Sequence, residues 1–535
     1  MKQIKLLDCT LRDGGYVNDW NFGHDNIVNI FERLISAGVD ILEIGFLDER
    51  RPFDRNRSIM PDTKSADQIY GRLDKGHTMI VGMIDYGTCS ISHISPCSES
   101  FLDGIRVIFK KHVRKEAIAF CHQVKALGYQ VFVQAVSITS YEDDEFLDLI
   151  AMVNELEPYA LSMVDTYGLL HQDNLLHYFH LMNENLKPQI GIGYHSHNNF
   201  QLAYSNSIEV LKEPADRTIL IDASLYGMGK SAGNLPIELI SMYLNSNCGR
   251  SFDTSQMLEA IDINIMPFFQ KSPWGYNLFY YIAASNKCHP NYVRFLMDKH
   301  TLSLRSLNEI LDRLEPEKKL LYDKNYIESL YRSYQSLECN DTADLAALTE
   351  AWMDKTLLLL GPGKNMELQK DRVLRYLQEH HPVVISVNYI PEDIPTDYAF
   401  LSNSRRYVQL NTRLLELAEN KEQTVKVIAT SNVTNVKDHF DYTLDYSSLI
   451  DPDAEIIDNS FVMLLHVLVK TGVKEAACAG FDGYSFHGEN YFNSDMDYQI
   501  AREKSRSINQ YVIDTLAQLS DTLKITFITD SHYTA

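Results

Sequence analysis

Two rhythms of apolar and polar positions alternate along the first 245 or so residues. Short β-rich runs at Ile4–Asp8, Ile41–Phe46, Thr78–Met83, Gly104–Phe109, Gln130–Val136, Ala160–Val164, Ile190–His195 and Thr218–Ala223 read as strands. Between most of them lie amphipathic stretches: Asp25–Ala37, Arg114–Leu127, Glu145–Glu155 and Asn174–Asn183. In the last, Leu175, Leu176, Tyr178, Phe179 and Met182 recur near the helical period. The segment from Asp85 to Ser98 reads as a loop, which leaves the third connection without a helix. Eight strands in series, each followed by a crossover, predict a (β/α)8 TIM barrel over residues 1–270. A doubly wound open sheet is the alternative, for which eight serial units would be long.

Beyond residue 255 the strand signal stops, and Leu302–Leu314 and Asn325–Ser336 read as helices separated by charged turns such as Glu315-Pro316-Glu317-Lys318-Lys319. Residues 271–350 are therefore expected to form a helical subdomain. A second α/β pattern starts at Thr356-Leu357-Leu358-Leu359-Leu360. It continues through Val383–Val387, Tyr398–Leu401, Val425–Thr430 and Ala476–Gly480, with Phe461–Thr471 as a helix. It predicts a C-terminal Rossmann-like three-layer domain over 351–535.

Composition narrows the functional classes. The 535 residues carry 49 basic and 72 acidic side chains, a formal charge of −23, which argues against nucleic acid as a partner because a phosphate backbone needs a basic footprint. It does not exclude a small anionic substrate held by local donors. No run approaches the length of a membrane span, and Met1–Lys5 leads into a strand with no apolar signal core. Eight cysteines stand singly, with no C-x-x-C pair, as suits a reducing cytoplasm.

Residues at the carboxyl ends of barrel strands are read first for chemistry. Strand 1 ends in Asp8-Cys9-Thr10-Leu11-Arg12-Asp13-Gly14-Gly15-Tyr16, and strand 7 in His195-Ser196-His197-Asn198-Asn199. Side chains two apart in an extended segment share a face, so His195 and His197 point together. With Asp13 from a strand nearby in a closed barrel they form a 2-His-1-carboxylate set, which holds a divalent ion facially and leaves positions open for a chelating substrate. His-x-His alone is two polar residues on a loop; its conjunction with Arg12-Asp13 and Glu43 carries the chemistry. Glu43 sits in the otherwise apolar strand Ile41–Phe46, where a carboxylate is costly unless paired, and Arg12 is its expected partner. The run Lys110-Lys111-His112 after strand 4 draws in an anionic substrate or is a solvated charge cluster. Trp274-Gly275-Tyr276 caps the site or packs the helical region, and Tyr276, Tyr280 and Tyr281 follow helical spacing as core positions.

Leu6–Gly15, Glu43-Ile44-Gly45, His195-Ser196-His197 and Gly227-Met228-Gly229-Lys230-Ser231-Ala232-Gly233-Asn234 resemble the metal-dependent aldolase and Claisen-condensing barrel family, and the Leu6–Gly15 opening resembles its 4-hydroxy-2-oxovalerate aldolase branch. The family also includes 3-hydroxy-3-methylglutaryl-CoA lyase and the isopropylmalate and homocitrate synthases. The resemblance implies Asp13, His195 and His197 as metal ligands, Arg12 steadying an enolate oxygen, Glu43 orienting Arg12, and Asn234 beside the metal or its water. Mn²⁺ is the foremost ion, with Mg²⁺, Co²⁺ or Zn²⁺ as the others. The implied reaction cleaves or forms a carbon–carbon bond next to a 2-oxo acid, with an aldehyde as the other partner. Aldolases of that branch carry histidine three positions after the aspartate, where this chain has Tyr16. So Tyr16 is a perturbed acid/base or packs the substrate, or His24 substitutes, or the reaction differs. The alternatives are an acyl-CoA Claisen transferase, and a barrel scaffold whose C-terminal domain performs glycosyl or phosphoryl transfer.

In that domain the strand Thr356–Leu360 runs into Gly361-Pro362-Gly363-Lys364-Asn365 before a helix at Leu368–Glu379, the way α/β folds present amides to phosphate or merely turn. With Asn459-Ser460-Phe461 and Gly480-Phe481-Asp482 it resembles sialyltransferase-like and hydroxymethylpterin pyrophosphokinase-like domains. That likeness implies a nucleotide or nucleotide-sugar pocket around Gly361, Gly363, Asn365, Asn388, Ser460 and Asp482. His487 is then a general base or a surface histidine, and the domain as a whole is a docking or oligomerisation module if it binds no nucleotide. A homo-oligomer is compatible with either.

Overall fold

A computed structural model describes residues 2–299, 302–335, 339–419, 425–433, 440–451, 459–487, 490–492 and 499–534. The chain divides into two compact units, Met1–Pro290 and Asn291–Ala535.

The first unit is built on eight parallel strands: β1 (Gln3–Asp8), β2 (Ile41–Leu47), β3 (Met79–Asp85), β4 (Gly104–Phe109), β5 (Gln130–Ala135), β6 (Ala160–Asp165), β7 (Gly191–Ser196) and β8 (Thr218–Ala223). Each pairs with the next, and β1 pairs with both β8 (Gln3 opposite Thr218, Asp8 opposite Ala223) and β2 (Leu7 opposite Ile41), which closes a (β/α)8 barrel. Between β3 and β4 there are only two single turns, Ile91–His93 and Cys97–Glu99, as the loop-like segment from Asp85 predicts. The helix Thr63–Tyr70, started by Asp62 accepting from the Ser65 amide, precedes β3 and was not legible in the hydrophobic pattern.

The period of two along each strand decides what the barrel interior holds. Leu7, Ile41, Val81, Phe132, Ala160 and Leu220 fill one end as an apolar layer. Two residues further on in β2, β5 and β8 the inward positions become Glu43, Gln134 and Asp222, and β4 and β7 contribute Arg106 and His195. All five are buried. The same alternation thus builds an oily floor and a charged layer above it, at the carboxyl ends where β/α loops gather. The outer faces of the strands pack on the surrounding helices in a separate apolar shell that includes Ile27, Phe31, Phe146 and Phe179.

Beyond the barrel strands, the helix Leu278–Ser285 buries Ile282, Ala283 and Ala284. Tyr276 and Tyr281 are 58% and 42% exposed, so they are not the core positions their spacing predicts: the small apolar face of that helix turns inward instead. Trp274 does pack: its Nε1 donates to the Tyr226 carbonyl at 2.8 Å and its ring meets Tyr226 and Phe269 edge-on.

The second unit includes the helices Leu304–Leu311, Lys324–Gln335 and Thr342–Trp352, which precede a seven-stranded parallel sheet. Its strands are β9 (Leu357–Leu360), β10 (Val383–Val387), β11 (Tyr398–Leu401), β12 (Lys426–Thr430), β13 (Tyr442–Leu444), β14 (Glu475–Ala479) and β15 (Lys524–Phe527), in spatial order β13-β12-β11-β10-β9-β14-β15. The run of four leucines in β9 is buried on both faces. Leu357 and Leu359 join the helices Thr342–Trp352 and Ser460–Lys470, whereas Leu358 and Leu360 join Val373 of the helix Lys370–His380. That two-sided burial is what makes a parallel strand read as unbroken hydrophobic sequence, and the result is a three-layer α/β domain. Among the described residues no helix is long and apolar enough to cross a membrane.

Candidate metal centre

At the top of β1 the chain turns through Thr10–Asp13, and the Asp8 carboxylate fixes that turn by accepting from the Thr10 amide at 2.9 Å and its hydroxyl at 2.8 Å. This delivers Arg12 and Asp13, 3% and 1% exposed, to the barrel mouth. Two strands away in the barrel order, β7 carries His195 next to its last residue, and His197 follows just beyond it, bridged to Asn234 of the Gly227–Asn234 loop. One ligand atom each from Asp13, His195 and His197 lies within 4.8 Å of the others, and all three residues are buried. Asn234 is placed beside them, its Nδ2 donating to the Met228 carbonyl at 3.3 Å. Gly229 completes the close fit: a Cβ there would lie 2.4 Å from Asn234 Nδ2 and 2.6 Å from Asp13 Oδ2.

Two guanidiniums organise the charge around this set. Arg12 donates from Nε to Glu43 at 2.7 Å and from Nη1 to Asp13 at 2.5 Å, the pairing expected for Glu43. Arg106 also reaches Glu43, at 3.1 Å, and pairs with Asp222, which bonds His195 Nδ1 at 3.0 Å. Arg106 further donates to Gln134 at 3.0 Å, and Gln134 to Ser162 at 3.0 Å. Arg106 and Asp222 are absent from the sequence-derived site. The signal that exposed Glu43, a charge inside an apolar strand, was present for both.

The protonation states suit cation binding. Burial alone would raise the Asp13 carboxyl, but Arg12 and the two imidazoles hold it well below the usual carboxylate range. Burial lowers His197 to about 3, so its imidazole is neutral, the form that ligates. Asp222, which burial would likewise raise, is held low by Arg106 and His195. The Asp13, Glu43 and Asp222 carboxylates outnumber the two guanidiniums paired with them in this buried space. Buried His197 Nδ1 and Asn234 Oδ1 have no protein partner. A net negative, nitrogen-and-oxygen-lined centre with an orphaned amide oxygen fits a divalent cation. With His195 Nδ1 committed to Asp222, Nε2 is the nitrogen left to ligate.

Tyr16 lies on the rim, 43% exposed, its ring against Trp20 and Phe46 and 5.4 Å beneath the Lys230 ammonium. Burial of its hydroxyl, with Asp13 adding, pushes the phenol above its ordinary value. Arg12, Asp13, Tyr16, Gln134, His195, His197 and Lys230 line one cavity of about 40 Å³. His24 is not among them: it opens the helix His24–Ser36, its amide bound to Asn56.

In the second unit the amides of the Gly361-Pro362-Gly363 turn are already used. Gly361 donates to Ala479, Gly363 to Gly480, both at 2.8 Å, and Asn365 to Asp482 at 2.8 Å. A Cβ on Gly363 would stand 2.5 Å from the Asp482 carboxyl carbon and from the Gly480 carbonyl. These glycines allow the loops after β9 and β14 to touch. Asn388 and Ser460 meet at 2.6 Å, with Ser402 at 2.7 Å from Ser460. His487 lies on the exposed side of the Ser485 turn.

Fold and site together define a (β/α)8 barrel with a candidate divalent-metal centre at the strand carboxyl ends. Residues 3–263 match the family model described as HMGL-like, and the barrel belongs to that superfamily of metal-dependent aldolases and Claisen-condensing enzymes, whose members are lyases or synthases. The chain is similar to the oxaloacetate decarboxylase of Mycobacterium tuberculosis (23% identity over 250 residues, 44% of this chain and 68% of that protein). It is similar to the 4-hydroxy-2-oxovalerate aldolase of Pseudoalteromonas translucida (22% over 279 residues, 50% and 78%) and to the 2-isopropylmalate synthase of Sulfurisphaera tokodaii (24% over 291 residues, 52% and 73%).

Proposed function

We propose that the barrel is a divalent-metal-dependent carbon–carbon lyase or aldolase that breaks or makes the bond next to a 2-oxo acid through a pyruvate-type enolate. The supporting observation is the convergence of Asp13, His195 and His197 within 4.8 Å, directly beside the Arg12 guanidinium. A divalent ion held by these three, with Asn234 alongside, would supply Lewis-acid stabilisation of negative charge on the ketone oxygen; Mn²⁺ is the ion favoured by the mixed donor set.

The chain's own groups account for the rest. Arg12 is immobilised through Nε and Nη1, so its remaining N–H edge is preorganised for an enolate oxygen and loses no rotamer freedom on binding. Glu43 and Arg106 hold that guanidinium in register from below. Tyr16 keeps its proton at neutral pH, which suits it to donate to an aldehyde oxygen in the direction of bond formation. The aromatic group Tyr16, Trp20 and Phe46 narrows the mouth and limits water.

The test is pyruvate release by the Mn²⁺-loaded full chain from a panel of 4-hydroxy-2-oxo acids, expected to vanish in Arg12→Ala. Silence across the panel together with condensation of an acyl-CoA onto a 2-oxo acid would replace the lyase reading by the Claisen one. Failure of the protein to bind any divalent ion would remove both.

A further inference from the structure

One basic side chain at the mouth, Lys230, stands outside the ion-paired set of Arg12, Arg106, Asp13, Glu43 and Asp222. It lines the same cavity as the three candidate ligands, its amide donates to Asp13 Oδ2 at 3.1 Å, and its ammonium stands over the Tyr16 ring. Among the described residues that ammonium makes no ion pair and no hydrogen bond, although the residue is mostly buried. Asp85 at the end of β3 and Lys110 just after β4 also act on Lys230, the acid favouring its charge and the base opposing it. His289 faces both lysines and, lowered to about 4 by burial and by their charge, adds a neutral donor rather than a counter-ion.

We infer that Lys230, with Lys110 at the rim, forms an anion subsite that grips a second acidic group on the substrate, a carboxylate or phosphoryl group carried beyond the 2-oxo acid end. The Lys230 ammonium stands over the Tyr16 ring at the rim of the cavity that Arg12 and the three candidate ligands also line. An unpaired, partly desolvated ammonium is costly to hold and becomes favourable when an anion fills the gap. The inference rests on the oxo-acid reading and names its substrate class: oxo acids with two negative charges rather than one.

Calorimetric binding to the Mn²⁺-loaded full chain tests it, with matched pairs as probes. 2-Oxoglutarate against 2-oxopentanoate reports a carboxylate, and 3-phosphonopyruvate against 4,4-dimethyl-2-oxopentanoate reports a phosphoryl-type anion. The native protein should favour at least one dianion by about tenfold or more, the worth of one charge-assisted hydrogen bond. That ratio should collapse towards one in Lys230→Gln and persist in Lys230→Arg. Lys110→Gln, at an exposed position that does not endanger folding, should lower the ratio by about twofold, and added salt should lower it further. Equal affinity for both members of each pair in the native protein, or an unchanged ratio in Lys230→Gln, overturns the inference while leaving the oxo-acid reading intact. Absence of binding by all four acids overturns both. If Lys230→Gln does not fold, an unchanged ratio in Lys110→Gln and at high salt overturns the subsite.

Discussion

Asp222 carries a load out of proportion to its position, because one oxygen, Oδ2, serves both His195 and Arg106. Replacing it with asparagine keeps the shape and removes the charge. Two charge-assisted bonds weaken, each worth about 1.5–3 kcal/mol, and Arg106 is left with Glu43 as its only anionic partner among the described residues. The amide can still meet one of the two groups but not both as an anion, so the net loss of stability should be about 3 kcal/mol, within the range for breaking a buried pair. His195 simultaneously loses the carboxylate that fixes its tautomer, and outer-shell changes of this kind cost about 10–100-fold in metal affinity. Titration of metal-free protein with Mn²⁺ by calorimetry, beside urea unfolding of the same samples, separates the two effects. An Asp222→Asn protein that binds Mn²⁺ within about threefold of the native protein would refute the assignment of Asp222 as the residue that orients His195.

Other expectations follow from the same geometry. Gly229→Ala should weaken Mn²⁺ binding at least about tenfold, since its Cβ collides with Asn234 and Asp13; an isotherm unchanged from native would contradict the packing of that loop. Gly363→Ala should destabilise the second unit by about 1–3 kcal/mol in urea unfolding whether or not a nucleotide is present, because the clash is with Asp482 and the Gly480 carbonyl. Asp8 gives a pH signature: burial pushes its carboxyl up to about 7, so the folded metal-free protein keeps a proton the unfolded chain loses near pH ~4. Its stabilising contribution is therefore complete below that pH and lost as pH rises towards 7, by at most about 4 kcal/mol. Asp8→Asn should flatten that slope between pH 4 and 7 in chemical denaturation, and an unaltered slope would count against it.

The barrel was legible because its strands are short apolar runs at regular spacing, and its candidate ligands Asp13, His195 and His197 lie at or just beyond strand ends, where they interrupt the apolar pattern. Glu43 was legible for the opposite reason, as a charge where none should be. Arg106 and Asp222 obeyed that same rule and were passed over: 116 positions separate them, and nothing local announces that two strands on different sides of a barrel will face each other. The helices Ser404–Glu419 and Ser505–Leu519 are rich in polar residues, which dilutes the apolar signal along the sequence although its helical period is present. The Gly361–Gly363 turn shows a limit of motif reading, since a glycine kept for close backbone contact and one kept for phosphate look alike in sequence.

The charged layer has a consequence for how this protein can change over time. Asp13, Arg12, Glu43, Arg106, Asp222 and His195 follow one another contact by contact, starting at one candidate ligand and returning to another. Any single neutral replacement in the middle deprives its buried neighbours of one opposite charge and shifts the total, whereas replacing an adjacent acid and base together keeps the total unchanged. Substitutions here should therefore be strongly epistatic, tolerated in compensating pairs and rejected singly. The residues that never touch substrate would then be as hard to alter as those that do.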